Sequence, residues 1–528
     1  MIKEIIKESI ASAFKKLEPE LVLPNFIVEL ADNNFGDYAT NAALITSKIL
    51  MRNPREIAEG LVKELVKESL YATVEVAGPG FINFRFSNDF WQTQVSHILE
   101  QKNRFGHSDL GKDLKVLIEF ISANPTGPLT LGNGRNAYSG DVLANIYKAY
   151  GAKVEREYYI NDRGVQIVAL GHSVLKDDEA VYKGYYIDEI APMIKSKAPD
   201  QAGEEAAAII LEKYIKKTIE KMGVEYDTWF SEKRLHDEGT IAKTMEYLQE
   251  LGLTYEQEGA IWLKTSQFGD DKDRVLVTSK GEYTYFASDI AYHADKINRG
   301  YNLLIDFWGA DHHGYIGRMQ AAIDMLRQGN NWSGILEIMI CQLVRLMSNG
   351  QEVRMSKRKG VYVLLDELID EVGPDVTRFF FLDRSLNTHM DFNLDLAKER
   401  SDKNPVYYVQ YAYARISSIL AKAKDENLNL EKDLGSQPLL REPAEVNLAK
   451  QLVRLPELVE EIAVNQEVQK LTFYARDLAM AFHNFYEKCP VLKAESDIMA
   501  SRINLLKATK IVLKNTFDLI GISSPEKM

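Results

Sequence analysis

Residues 114 to 151 form the stretch that most narrows what this chain can fold into. An apolar run, Leu114 to Phe120, is followed by the turn Asn124-Pro125-Thr126-Gly127-Pro128. A helical segment then opens near Asn133 and Gly134 and runs to Tyr150, where Gly151 supplies a stop. A strand, a Gly-rich turn and a helix N-terminus in that order make an anion site, because free backbone N–H groups and the helix dipole face the same point. Pro125 and Pro128 stiffen the turn, while Gly127 and Gly132 let a ligand approach the backbone. Thr130 and Asn133 fall on or beside the first helical turn and are expected to point at the bound anion.

The pattern continues around this unit. From about 114 to 380, apolar strands alternate with helical segments, with strand candidates at Val116 to Phe120, Val154 to Ile160, Leu303 to Trp308 and Ile335 to Leu343. A stretch richer in helix and charge, about 165 to 260, reads as an insertion. Before it, residues 1 to 110 read as a small α+β unit. Its first helix is amphipathic, with a second after Gly36-Asp37-Tyr38-Ala39-Thr40-Asn41 and a third after Asn53-Pro54-Arg55-Glu56. Strands follow at Thr73 to Ala77 and Phe81 to Phe86. From about 404 onward apolar residues recur at helical spacing in Val406 to Lys422, Val446 to Ala463, Lys470 to Lys488 and Arg502 to Leu519. The 528 residues therefore predict a multidomain α/β protein. It has a small α+β N-terminal domain (1–110), a Rossmann-like parallel-sheet domain with an insertion (111–380) and an all-α bundle (381–528).

Bulk chemistry excludes several classes. Cys341 and Cys489 stand far apart, which opposes a zinc or disulfide framework, fits a reducing cytoplasm and leaves no metal site to name. Lys3, Glu4, Lys7 and Glu8 interrupt the first helix, so it is no signal peptide, and no run of apolar residues is long enough to span a membrane. The net charge of −13 is neutral toward a nucleic-acid partner, since phosphate binding needs only a local basic surface.

A second charged stretch, Arg354-Met355-Ser356-Lys357-Arg358-Lys359-Gly360, lies far downstream. Together with the strand–turn–helix it resembles the paired ATP-binding signatures of class I aminoacyl-tRNA synthetases. Met355-Ser356-Lys357 matches the centre of the family's Lys-Met-Ser-Lys-Ser loop, with Arg354 at its first lysine and Arg358 at its last serine. Family members commonly carry His-X-Gly-His where this chain has Thr130-Leu131-Gly132-Asn133. A Thr hydroxyl and an Asn amide still donate, but without charge assistance. The resemblance makes Thr130, Gly132, Asn133 and Lys357 the catalytic set, with Lys357 on the pyrophosphate leaving group. It also implies that ATP contacts Pro125, Thr126, Gly127, Pro128, Leu129, Leu131, Gly134, Asn136, Gly309, Asp311, His312, Met355 and Ser356.

The amino acid has to be argued from the pocket. Planar carboxylates recognise a guanidinium best, through forked hydrogen bonds. Glu119, Ser122 and Asn124 close the first strand, Tyr285 and Asp289 lie four apart on one helix face, and Asp311 follows the Leu303–Trp308 strand. Three carboxylates facing one cleft would repel one another unless a cation were bound. Here the whole chain resembles the arginyl-tRNA synthetase family. Glu119, Ser122, Asn124, Tyr285 and Asp289 match its arginine-holding positions, and Trp308-Gly309-Ala310-Asp311-His312-His313-Gly314-Tyr315 matches its segment beside arginine and adenine. The resemblance extends to Phe35-Gly36-Asp37-Tyr38-Ala39-Thr40-Asn41 and to the terminal Gly521 to Met528.

It implies an arginine–tRNA ligase whose partners are ATP, L-arginine and tRNA(Arg), acting as a monomer, with Mg²⁺ carried mainly by ATP. Arginine would be activated to the adenylate and passed to the 2′-hydroxyl of the terminal adenosine, with tRNA bound before activation. Tyr407, Tyr408, Gln410, Tyr411 and Tyr413 with Arg415 on one helix read as a base-stacking platform, although packing is expected for at least two of the tyrosines. Tyr408, Tyr411, Arg415 and Met528 are thus tRNA candidates at the anticodon end, and Phe35, Tyr38 and Asn83 at the elbow. For the last three, and for Asn34 and Asp37, a buried turn network is an equal alternative. Two other readings remain open. Thr130-Leu131-Gly132-Asn133 also resembles tryptophanyl-tRNA synthetases, and a synthetase-like RNA-binding protein without activity would equally lack the histidines.

Overall fold

The computed structural model of the chain describes residues 1–31, 35–330, 332–353, 363–426 and 440–528. The predicted parallel sheet forms, and its order explains where a ligand fits. Five strands lie side by side as Ile335–Cys341, Leu303–Gly309, Lys115–Glu119, Lys153–Ile160 and Thr228–Ser231, all parallel. In chain order this is the 3-2-1-4-5 arrangement, whose switch point lies between Lys115–Glu119 and Leu303–Gly309. Central residues Val116, Leu117, Ile118, Leu304 and Ile305 are fully buried, as continuous apolar strands covered by helices on both faces must be.

Thr228–Ser231 is a strand that the sequence pattern concealed within the expected insertion. It is four residues long and pairs only with Lys153–Ile160, so no apolar run marks it. The residues before it include the helices Val165–Leu175, Tyr185–Ile190 and Pro199–Ile210, and those after it include the antiparallel sheet Thr254–Gln257, Ala260–Leu263 and Arg274–Val277.

The amino-terminal unit carries its helices at Ile2–Leu17, Ala42–Leu50 and Pro54–Leu65 beneath an antiparallel four-stranded sheet. Besides Phe81–Phe86, as expected, and Tyr71–Ala77, which starts two residues before the expected Thr73, that sheet includes the short strands Val28–Leu30 and Tyr38–Thr40. At the other end the predicted Val446 to Ala463 helix is two helices, Pro443–Val453 and Leu455–Asn465. Pro456 cannot donate to the preceding turn, so the helix restarts with proline in its first turn. The remaining bundle helices are Pro405–Asp425, Gln469–Lys488 and Ser496–Ile520. Among the described residues no helix is long and apolar enough to cross a membrane.

Candidate active site

The first signature folds as strand, turn and helix, but the helix starts earlier than expected, at Leu131, and ends at Tyr150 with Gly151 left-handed. Thr130 is its N-cap. Asn133 Oδ1 accepts from the Thr130 backbone N–H at 2.9 Å and from its hydroxyl at 3.0 Å. The two side chains were expected to point at an anion; instead they cap each other, which satisfies helix-end donors locally. The open part of the turn is Gly132. It is exposed, and a methyl there would meet nothing nearer than Thr130 Oγ1 at 3.9 Å.

Several residues that the resemblance assigns to ATP build the floor behind this opening. Pro125, Leu129 and Leu131 are buried. Gly134 is a packing glycine, since a methyl there would lie 2.7 Å from Leu365 Cδ1. Asn136 is a buried strut: its Oδ1 accepts from Ile121 N–H at 2.6 Å and its Nδ2 donates to Phe307 O at 3.1 Å. It joins the helix to both strands at the switch point. Thr126 O accepts from the Tyr186 hydroxyl at 3.0 Å, with Gly127 alongside that ring and Pro128 half-buried.

Met355, Ser356 and Lys357 lie outside the described residues. Their far flank is described: Leu364 forms an antiparallel bridge with Thr130, and Leu365 N–H donates to Leu129 O at 3.0 Å. The chain leaving the second signature therefore returns to the first.

Beyond Glu119 the backbone turns through two left-handed residues, Ile121 (φ 65°) and Ser122 (φ 41°). A β-branched residue there is strained, and such strain persists where the surroundings over-determine it. Asn136 holds the Ile121 N–H, while Ser122 Oγ accepts from Tyr159 N–H at 3.1 Å and donates to Glu119 Oε1 at 2.8 Å. Asn124 bonds Asn161 at 2.7 Å and Gln166 at 2.6 Å. The strand end is thus one polar network in which Glu119 is 8% exposed. Burial pushes the Glu119 carboxyl upward, against the pull of Lys296.

Tyr285 and Asp289 begin the helix Tyr285–Asn298. Tyr285 is exposed, and a methyl on Gly164 would touch its hydroxyl at 3.6 Å. Asp289 Oδ2 accepts from the Tyr315 hydroxyl at 2.5 Å. Burial raises the Asp289 carboxyl, and the Tyr315 bond opposes that rise. Asp311 does not join this acidic group. It stands in the turn Ala310–Tyr315, its side chain 82% exposed, 3.5 Å from His312. Gly309 ends its strand beneath it, and a methyl there would meet Asp311 Oδ1 at 2.5 Å.

The carboxylates that do join were missed from sequence. Asp306 sits beside Glu119 in register across the switch point and is fully buried. Glu232 is buried near Asp289 and Asp162, and burial followed by those two charges pushes its carboxyl up to about 7. Lys296 bridges Glu119 at 2.6 Å and Asp306 at 2.8 Å. A helix face reading Tyr285, Asp289, His293, Lys296 was present in the sequence as a signal; Asp306, inside an apolar strand, was not.

The RNA candidates fall into exposed and engaged sets. Phe35 is exposed and Asn83 half-buried. Tyr38 was expected to be a tRNA contact. It is 2% exposed, its hydroxyl donating to Glu457 at 3.0 Å, which makes it an anchor between the amino-terminal sheet and the bundle. Its neighbour Asp37 does the same through Lys450 at 2.5 Å, so the buried-network alternative holds for these two; Asn34 lies outside the described residues. In the bundle, Tyr407 and Tyr411 are parallel at 6.3 Å, with His483 next at 6.0 Å from Tyr411 and Tyr408 against that imidazole at 4.9 Å. Tyr413 and Gln410 are buried. Arg415 donates to the Tyr486 hydroxyl at 2.8 Å. Met528 is half exposed and lines a cavity of about 500 Å³ with Lys398, Arg400, Tyr407 and Gln410.

Comparison with known proteins gives one answer along the chain. Family models match for the arginyl tRNA synthetase N terminal domain over residues 2–86, the class I (R) tRNA synthetase catalytic domain over 94–237 and the DALR anticodon binding domain over 409–528. An arginine–tRNA ligase of Listeria welshimeri is 43% identical, covering 99% of this chain and 98% of the relative. One from Staphylococcus aureus is 41% identical, covering 100% and 99%. The arginyl-tRNA synthetase structure of Thermus thermophilus shares the fold, with a TM-score of 0.78 over 100% of both chains at 22% identity. With relatives above 40% identity from end to end, this chain belongs to the arginyl-tRNA synthetase family.

Proposed function

We infer that the chain is an arginine–tRNA ligase. It activates L-arginine with ATP to arginyl-adenylate, releasing pyrophosphate, and then transfers arginine to the 2′-hydroxyl of the terminal adenosine of tRNA(Arg). The observation that carries this reading is the placement of Glu119 and Asp289. Glu119 ends the first strand with Ser122 and Lys296 as its donors, and Asp289, on the Tyr285–Asn298 helix, is held by Tyr315. A tryptophan ring would need an apolar wall there.

In the site as proposed, Glu119 and Asp289 take the guanidinium, with the Tyr285 hydroxyl beside them and Tyr315 fixing Asp289. Ser122 and Asn124 present their polar groups to the amino-acid end of the substrate. The helix N-terminus at Leu131 to Asn133 faces the phosphates of ATP, and Asp311 and His312 lie exposed at the next strand end, on the ATP side. Lys357 meets the leaving pyrophosphate. Attack by the arginine carboxylate on the α-phosphorus needs no covalent enzyme intermediate, so positioning and charge supply the acceleration. Mg²⁺ arrives on the ATP phosphates, as hard cations with oxygen ligands do. The domains follow as elbow-contacting (1–110), catalytic (111–380) and anticodon-binding (381–528). The Tyr407/Tyr411/His483 ladder with Met528 offers flat faces to unstacked bases, and one monomer contains every part.

Pyrophosphate exchange in the presence of tRNA, run with each amino acid in turn, tests the reading. Exchange with arginine alone is expected. Exchange with tryptophan, or with none, rejects it.

A further inference from the structure

Asp306 and Glu119 are adjacent in register on neighbouring parallel strands, both inside the protein. Two buried carboxylates so placed repel each other, and one of them would take up a proton unless a cation intervened. Lys296 is that cation. It is fully buried, bonds Glu119 Oε2 at 2.6 Å and Asp306 Oδ1 at 2.8 Å, and sits over the Tyr292 ring at 4.3 Å. His293, one turn earlier, grips the other oxygen of Asp306 at 2.8 Å, and its Nδ1 faces the Asp289 backbone carbonyl at 2.7 Å. Burial works against the Lys296 ammonium, yet Asp306 and Glu119 outweigh it and hold the charge.

One helix face thus carries Tyr285, Asp289, His293 and Lys296, the last two both bonded to Asp306. Glu119 has one protein donor on each oxygen, Lys296 below and Ser122 at the side. Each carboxylate oxygen accepts more than one hydrogen bond, so acceptor capacity remains for a ligand.

We propose that Lys296 is a positioning residue of the arginine site: clamped against Asp306, it keeps Glu119 ionised and fixes its carboxylate plane for the incoming guanidinium. This rests on the arginine reading above. Lys296 touches no substrate, and its effect passes through Glu119. Removing it leaves two buried carboxylates side by side with no ammonium between them, only His293 on Asp306 and Ser122 on Glu119, so Glu119 takes up a proton and no longer offers a charged acceptor to the ligand.

The test is pyrophosphate exchange with Lys296→Met, Glu119→Gln and the double variant Glu119→Gln/Lys296→Met, in the presence of tRNA. Lys296→Met should raise KM for arginine roughly tenfold or more, the scale of a lost charge-assisted hydrogen bond, with KM for ATP within about twofold of wild type. Adding Lys296→Met to Glu119→Gln should leave KM for arginine within about twofold of the single Gln variant, because coupled effects do not add. The double variant removes one charge of each sign, so it remains decisive if Lys296→Met does not fold. Parallel rises in both KM values, an unchanged KM for arginine in Lys296→Met, or a further fivefold rise in the double variant would each overturn the proposal. Failure of the wild type to exchange with arginine would instead remove the reading beneath it.

Discussion

Leu364 pairs with Thr130 across a single antiparallel bridge, and Leu365 stacks its side chain where Gly134 leaves room. Two segments more than two hundred residues apart thereby share one point at the N-terminus of the Leu131–Tyr150 helix. A methyl at 134 would press on Leu365 and push the returning chain away. Gly134→Ala is expected to raise KM for ATP several-fold in pyrophosphate exchange with little change in KM for arginine. An unchanged KM for ATP would show that the bridge does not serve the nucleotide.

Asp289 is held by Tyr315 and, in the site as proposed, takes the guanidinium. Asp289→Asn keeps the shape and removes the charge, at a cost of about 1.5–3 kcal/mol for a hydrogen bond to a charged group. The expected result is a KM for arginine raised by roughly one to two orders of magnitude, with kcat less affected. Exchange kinetics with an unaltered KM would place Asp289 outside the guanidinium contacts.

The mutual cap of Thr130 and Asn133 gives Thr130→Ala a structural signature as well as a catalytic one. Loss of an N-cap costs about 0.5–2 kcal/mol, so the unfolding midpoint should fall along with kcat. Replacing both residues by histidine should lower kcat strongly, because the turn is built around their reciprocal bonds. A double-histidine variant as fast as wild type would show that these two side chains do not shape the turn for catalysis.

Glu232 predicts a pH dependence of stability. Its folded carboxyl is raised to about 7 from 4.5, chiefly by burial, so the folded state binds more protons than the unfolded one between those values. Stability contributed by this group is therefore complete below about pH 4.5 and is lost as pH rises toward 7. Denaturant titrations of Glu232→Gln should show a flatter profile over that range, with a gain near pH 8 of about 1–3 kcal/mol. Parallel profiles for variant and wild type would contradict it.

Tyr411 is 39% exposed and continues the ring ladder from Tyr407 to His483. Stacking of one base is worth about 1–3 kcal/mol, so Tyr411→Ala should raise KM for tRNA in aminoacylation by about tenfold. KM for arginine should stay the same. A change confined to thermal stability would make this tyrosine a packing residue only.

By itself the sequence determined the layered plan and the strand–turn–helix of the first signature. Continuous apolar strands, Pro- and Gly-marked turns and helical periodicity are local properties, so the first strand, the Leu131–Tyr150 helix with its Gly151 stop and the carboxy-terminal bundle were all legible. Glu119 and Asp289 were legible too, because a charge at a strand end and another on a helix face stand out against their neighbours. Only the tertiary structure decided which charges meet. Asp306 lies within an apolar run, and its meaning comes from strand register, which sets it beside Glu119 and calls Lys296 between them. Asp311, conspicuous in sequence, turns outward because the chain leaves its strand in a tight turn. Tyr38, which the sequence left open between a tRNA contact and a buried turn network, is buried because a bundle helix supplies Glu457 more than four hundred residues later. Spacing along a chain encodes one element's face, whereas the pairing of faces depends on long-range packing that no local pattern carries.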